Sequence, residues 1–319
     1  MDQGEAARGV PRLVLAHGRE KAREEVAKRV GGGRDLPLVD IAAGVLADEA
    51  QRIGISYSGF CLTSLPHKRL PDEQPWEKKG HRVTLLVEPG RLRVGGRTVL
   101  YGVPYGARAR LILLYLMTQS VRTGSREVEL GRSMRDWLTR MGLSVGGETA
   151  RALREQAARV SACSLKFFWD EGAQEGFQRG AIVRSGLRFH ADGDDEEGRQ
   201  GKLWDDRVTL DEGFWDMLRA HPVPLLESAI RQLRDRSMSL DLYIWLAWRL
   251  QHLGQRTPIS WAALHGQFGA GYRQVRQFKP RFVEALAAAT AAYPDARVEV
   301  AESGVVLHPS KPPVPRLAA

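Results

Sequence analysis

The chain has 319 residues, ample apolar content for two cores, and a formal net charge of +9 at pH 7. That balance favours a polyanionic partner over a basic protein. Two widely separated cysteines, Cys61 and Cys163, sit between apolar neighbours without zinc spacing, and no run of 18 apolar residues or signal-peptide core occurs. A disulfide framework, a structural metal and a membrane partner are disfavoured, and a cytoplasmic protein is expected.

Residues 1–52 read as a flexible or helical N-terminal region. Met1–Arg12 is polar, Arg19–Lys28 is a charge-rich helix candidate, and Val39–Arg52 is a short helix candidate. Gly31-Gly32-Gly33 between them lacks a following Gly-Lys-Ser/Thr and reads as a linker, not a phosphate loop. From Tyr57 the chain turns to β character. Tyr57–Thr63, Arg82–Val87, Arg91–Val94 and Thr98–Tyr101 are strand candidates, with Gly95-Gly96 as a hairpin turn. Pro66–Pro75 is a proline-punctuated loop that offers basic side chains to phosphate.

Tyr105–Trp169 carries the main functional signal. An apolar helix over Ala109–Met117 is followed by a strand at Glu127–Leu130 and a compact helix over Ser133–Met141. A turn over Gly142–Gly147, a third helix from Glu148 to about Ala162 and a strand at Leu165–Trp169 complete the stretch. This is the order of a winged helix-turn-helix, whose third helix enters a DNA groove. Ala150, Leu153, Ala157 and Val160 recur at helical spacing as a buried face. Arg151 and Arg154 lie on another face, with Thr149 at the N-terminal end. Guanidinium groups one turn apart suit bidentate contact with guanine or phosphate, although charged residues on one helix are by default only a solvated face.

Next come a Gly-rich turn over 170–176 and a returning strand over Ala181–Arg184 and Leu187–His190. The acidic Asp192–Gly198 lacks the spacing of a calcium loop and reads as solvated surface. Leu203-Trp204, a turn at Asp205-Asp206, Val208–Leu210 and Phe214-Trp215 lead into a second domain, with the boundary between about Gly198 and Pro224.

The same pattern then returns with little residue identity. An apolar helix runs from Leu240 to Leu250, and a short extended piece over Thr257–Ser260 follows. Trp261–Phe268 forms a compact helix, with Trp261 where Trp137 falls in the first copy. After Gly269–Gly271 a third helix spans Tyr272–Ala292, with Val275, Phe278, Phe282 and Leu286 as its apolar face. Arg273, Arg276, Gln277 and Arg281 point away from that face. Pro280 allows a second register, a helix starting at Phe278 or Lys279, which would move Arg273 and Arg276 into the preceding loop. Ala296–Val300 and Gly304–His308 read as a hairpin, the wing. Lys166 and Arg297 mark the two wings. Basic charge tracks the modules: ten Arg and Lys against five Asp and Glu over 104–165, and ten against three over 219–281.

Catalytic signatures are missing. Eight histidines form no His-x-His pair, no Walker loop or Gly-x-Ser-x-Gly elbow occurs, and no carboxylates are clustered in a way that suits two-metal nuclease chemistry. Tyr115, Tyr243 and Tyr272 read as core or cap residues. The stripe of Tyr243, Trp245, Trp248 and Trp261 reads as core, not as a platform for unpaired bases. No catalytic residue, no metal and no cofactor are expected.

Gly59–Pro71, Val83–Gly90, Gly102–Arg110, Arg122–Met134, Tyr293–Arg297 and Pro309–Val314 resemble the plasmid-encoded RepA replication proteins of bacteria. The resemblance covers roughly Ile53–Val314. It implies a part in plasmid replication through origin binding, with recruitment of the host initiator and helicase loader. The expectation is therefore an α+β protein of two tandem winged helix-turn-helix domains, with an N-terminal β-containing extension on the first. Residues 1–52 would form the N-terminal region, 53–203 the first domain, and 204–319 the second with a Pro-rich tail. The partner would be double-stranded DNA at repeated origin sites. It would be met by Thr149, Arg151, Arg154, Lys166, Arg273, Arg276, Gln277, Lys279, Arg281 and Arg297. Homodimer formation is left open. The alternative is a sequence-specific autorepressor, since winged helices serve both uses. A third reading gives the first module to dimerisation and only the second to DNA.

Overall fold

The computed structural model describes residues 3–29, 31–80, 82–170, 175–185 and 207–314. The strand expected at 187–190, the acidic loop at 192–198, the 203–206 segment and most of the 170–176 turn lie outside the described residues. The fold is mixed α and β and divides into two compact units. One combines Met1–Cys61 with Val223–Ala319, and the other is Leu62–Pro222. The linear partition expected from sequence, with a break at residue 203, gives way to an insertion of one unit within the other.

The N-terminal segment is a structural part of its unit, not a flexible lead. Helix α1 (Gln3–Ala27) breaks at Gly18, whose φ of 75° is non-helical. Val10, Val14, Ala22 and Val26 are buried, an apolar face hidden among charges. Helix α2 (Leu36–Leu46) buries Leu38, Val39, Ile41, Ala42 and Val45, and its Asp40 receives Arg19 at 2.9 Å and Arg23 at 2.5 Å from α1. Gly31–Gly33, expected as a linker, is the tight turn between these helices. Strand β1 (Ile53–Tyr57) follows, then a single helical turn α3 (Gly59–Leu62). The strand expected over Tyr57–Thr63 is thus corrected. Phe60, Cys61 and Leu62 are all buried in succession, and such a run does not distinguish strand from helix by periodicity.

The inserted unit begins with β2 (Trp76–Lys79), β3 (Val83–Glu88), β4 (Gly90–Val94) and β5 (Arg97–Tyr101). Helix α4 (Gly106–Thr123), β6 (Glu127–Glu129), α5 (Met134–Arg140) and α6 (Gly147–Ala162) come next. Then β7 (Ser164–Asp170), β8 (Glu175–Ala181), β9 (Val183–Ser185), β10 (Arg207–Leu210) and α7 (Glu212–Ala220) complete it. An antiparallel sheet runs β2-β3-β7-β8, and a second runs β6-β10-β9. Alternation sets the buried face of the first sheet: Val83, Leu85 and Val87 on β3 are buried, as are Leu165 and Phe167 on β7. Strands β4 and β5 pair only with each other. Gly95 and Gly96 join them at φ 54° and 75°, the paired positive φ of a tight hairpin turn. Phe214-Trp215, expected to open the second domain, belong to α7 and are buried within this unit.

The chain returns at β11 (Pro222–Leu226), which pairs with β1. Then come α8 (Glu227–Gln232), α9 (Ser237–Arg249), β12 (Thr257–Ser260), α10 (Trp261–Phe268), α11 (Val275–Ala291), β13 (Val298–Ala301) and β14 (Gly304–Leu307). Strand order in the sheet is β12-β14-β13. Aromatic edge contacts fill the core. Trp245 meets Phe268 at 5.2 Å between centroids, Trp261 meets Phe282 at 5.9 Å, and Tyr243 meets Tyr293 at 6.2 Å. Tyr243 and Trp245 are therefore core, and the Tyr243 hydroxyl accepts the Leu226 N–H at 2.9 Å. Helices α1 and α2 both pack against α11. No described helix is long and apolar enough to cross a membrane.

Candidate nucleic-acid interface

In the inserted unit, α5 is fixed at its start by a reciprocal cap. Ser133 Oγ accepts the Asp136 N–H, and Asp136 Oδ2 accepts the Arg132 N–H at 3.0 Å. The Arg132 N–H, then Arg140, hold the Asp136 carboxyl below its usual range. Trp137 is fully buried, edge-on to Tyr115 at 6.2 Å. A turn over 141–146 then leads into α6, which buries Leu153, Ala157 and Val160. Ala150, expected on that buried face, is half-exposed near the helix start.

Helix α6 presents Arg151 to solvent one turn from the half-buried Arg154, a spacing of about 5–6 Å between Cβ atoms. Thr149 is half-buried, its Oγ1 3.3 Å from Ser144 Oγ. These three stand at the N-terminal half of the helix, as expected. Lys166 does not join them. It lies on β7 between β3 and β8, with its Nζ 2.6 Å from Glu88 Oε2. Its ammonium is paired with a carboxylate there, on the strand that follows α6 and not on the helix.

A polar network absent from the sequence reading orients α6. Arg159 is 3% exposed. Its guanidinium donates to Asp72 Oδ1 at 2.9 Å, Glu155 Oε1 at 3.1 Å and the Val103 carbonyl at 3.3 Å. It also lies over the Tyr105 ring at 5.2 Å. Burial pushes the Asp72 carboxyl up, but hydrogen bonds from Arg159 and Arg69 outweigh it and leave its pKa lowered. Gln156 Oε1 accepts the Tyr105 N–H at 2.9 Å. Alongside, Arg110 on α4 is buried and donates to the Leu65, Pro66 and Gly106 carbonyls. The proline-punctuated loop is therefore stitched beneath α4 and α6, and Asp72 and Arg69 serve that attachment. The one available cue was Glu155 four residues before Arg159, which reads equally as a solvent pair.

In the other unit, Ser260 Oγ caps α10 by accepting the Ala263 N–H. Helix α11 begins at Val275, between the two registers considered from sequence, and Pro280 lies inside it. Arg273 consequently falls in the preceding turn, exposed. Arg276 and Gln277 are exposed in the first turn, with Arg276 Nε donating to Gln274 Oε1. Val275, expected on the apolar face, is 37% exposed because it precedes the packed part of the helix. Phe278, Phe282 and Leu286 are buried as expected. Arg281 is exposed, 3.3 Å from Glu284. Lys279 is half-buried with its ammonium 4.9 Å from the Trp261 ring centroid. Arg297 is exposed but stands at the base of the β13–β14 hairpin, where its N–H donates to Ser310 Oγ and its carbonyl accepts from His308. The hairpin turn holds Glu302 and Ser303, whose carbonyls accept Trp261 Nε1–H and the Trp261 backbone N–H.

Each unit thus contains helix, strand, helix, helix and two strands in order, with at least one exposed arginine near the start of the last helix. Residues 103–262, from the lead into α4 to the start of α10, match the family described as plasmid encoded RepA protein. That is half of the chain. The chain belongs to the plasmid-encoded RepA family. The matched RepA stretch includes Arg159, Val103 and Tyr105 of the network that holds α6. The chain is also similar to solved structures. A selenomethionine derivative of domain 2 and domain 3 of RctB has a TM-score of 0.53 at 14% identity, covering 82% of this chain and 99% of that one. A second structure, RctB domains 2-3, RctB-155-483, has a TM-score of 0.45 at 14% identity, covering 70% and 79%. The first of these likenesses is one of fold. No curated protein sequence matches the chain.

Proposed function

We propose that this RepA-family protein is a plasmid replication initiator that binds repeated sites in its origin through two winged-helix modules. The observation that carries the reading is the recurrence of an arginine group near the start of the third helix in both units, led by the exposed Arg151 in one and by the exposed Arg273 and Arg276 in the other. Arg151 and Arg154 form the first, and Arg273, Arg276 and Gln277 the second. In the returning unit, support also comes from the pairing of β12 with β14 and of β13 with β14, the strand order of a winged helix. In the inserted unit the helices follow the same order, while β6 pairs with β10 and the β7–β8 hairpin joins β3.

Under this reading Arg151, Arg154, Arg273, Arg276 and Gln277 reach base edges or phosphates, and Arg281, Lys279 and Arg297 add positive charge nearby. Adjacent bound copies strain the duplex, and a neighbouring AT-rich segment opens where strands part most cheaply. The protein works in the cytoplasm without catalysis of its own, and the host initiator and helicase loader act on the opened DNA. The test is footprinting of the full chain on DNA flanking its own gene. The R151E/R154E and R273E/R276E variants are run beside it, and plasmid maintenance is scored in parallel. Repeated protected sites that each variant weakens are expected. Wild-type protection by both variants would overturn the contact assignment, and a plasmid that persists without the protein would make it a repressor.

A further inference from the structure

The β4–β5 ribbon takes no part in the contacts assigned to α6 and α11. Residues directly opposite in an antiparallel pair share a face. One face carries Arg91 and Arg93 opposite Leu100 and Thr98. The other carries Leu92 and Val94 opposite Val99 and Arg97. Val94 and Val99 are 36% and 38% exposed, so neither face is covered along its outer half. From Gly90 to Tyr101 there are three arginines and no acidic residue. Arg91, Arg93 and Arg97 are exposed and form no ion pair among the described residues. A lone two-stranded hairpin is marginal in water, so packing within the unit gives no account of a ribbon this bare.

Its base, in contrast, is built into the unit. A Cβ on Gly90 would lie 1.7 Å from the Ala162 carbonyl oxygen, so only glycine permits β4 to start against the end of α6. Cys163 Sγ is 3.5 Å from the Gly102 carbonyl. Beyond β5 the chain runs back along α6, with Val103 beside Arg159 and Tyr105 beside Gln156. The ribbon therefore leaves the unit at the C-terminal end of α6.

We propose that the β4–β5 ribbon is a DNA-gripping arm that lies on the phosphate backbone flanking the duplex segment met by α6. The proposal rests on the DNA-binding reading of α6. Arg91 and Arg93, two residues apart on one face, are spaced by about 6.8 Å. Successive phosphates of one strand advance by about 3.4 Å along the duplex axis, so the pair spans two steps. Five residues per strand give an arm of about 17 Å, which covers about 5 bp beyond the α6 contact. Uninterrupted positive charge suits a polyanion and disfavours the apolar or mixed-charge surface of a protein partner.

The test uses the full chain on a duplex taken from the footprinted DNA, with hydroxyl-radical footprinting and anisotropy titrations over a range of salt. R91A/R93A/R97A is compared with R151A/R154A and with R91K/R93K/R97K. The alanine triple variant is expected to keep the centre of each protected site and lose about 5 bp at one edge. Its plot of log K against log salt becomes shallower by about 2, at roughly 0.9 per lost phosphate contact. The lysine triple variant restores the slope, and R151A/R154A loses the centre. An alanine triple variant with the wild-type footprint and slope overturns the arm and leaves the α6 reading standing. Unchanged DNA binding with lost self-association also overturns it, assigning the ribbon to a contact between copies. A wild-type chain that protects no duplex overturns both readings. The ribbon lies outside the core, so a shared thermal midpoint among the variants separates loss of contact from loss of fold.

Discussion

Replacing Arg159 with methionine removes the charge that ties α6 to Asp72, Glu155 and the Val103 carbonyl while keeping most of the packing volume. A hydrogen bond to a charged group contributes about 1.5–3 kcal/mol, and breaking a fully buried pair costs about 3–5 kcal/mol. Asp72 and Glu155 are 31% and 38% exposed in their side chains, so water recovers part of their solvation after the change. The Val103 carbonyl, by contrast, loses a buried donor. The expected cost is therefore about 3 kcal/mol, the lower end of the buried-pair range. Asp72→Asn should cost less, about 1–2 kcal/mol, because Arg159 keeps its other two partners. Urea denaturation of both variants and the double variant gives the coupling directly. An Arg159→Met cost below about 0.5 kcal/mol, or one smaller than that of Asp72→Asn, would refute this account of how α6 is held.

Acid should act on the same tether. Because the folded Asp72 carboxyl is lowered, its contribution is fully present above the unfolded value near 3.9 and disappears as pH falls through the lower folded value. Asp72→Asn should remove that part of the acid dependence in a pH series of urea melts. Lys166→Gln should leave DNA affinity within about twofold of wild type, since Glu88 already neutralises that ammonium; a loss comparable to R151A in anisotropy would return Lys166 to the site. Phe282→Ala, at a fully buried position against Trp261, Phe268 and Phe278, should cost about 3–5 kcal/mol in the unfolding of its own unit. A loss under about 1 kcal/mol would mean that the aromatic cluster is not packed as described.

The helical order of both modules was legible because its signals are local. Leu153, Ala157 and Val160 recur at helical spacing, Phe278, Phe282 and Leu286 do the same in the second copy, and Gly95-Gly96 turns its hairpin. What stayed hidden depends on distant partners. Arg159 finds Asp72 across 87 positions, and Lys166 finds Glu88 across a sheet whose pairing has no local signature. The start of α11 was ambiguous because Pro280 is compatible with more than one first turn. The N-terminal helices looked weakly structured because the surface they bury against, α11, lies more than two hundred residues onward.

That separation has a consequence for synthesis. Residues 62–222 emerge from the ribosome as a complete unit and are free to fold at once, whereas α1 leaves early with Val10, Val14 and Val26 unsheltered. At about 5–20 residues per second, the nascent chain carries these uncovered valines for about 10–50 s before α11 is made.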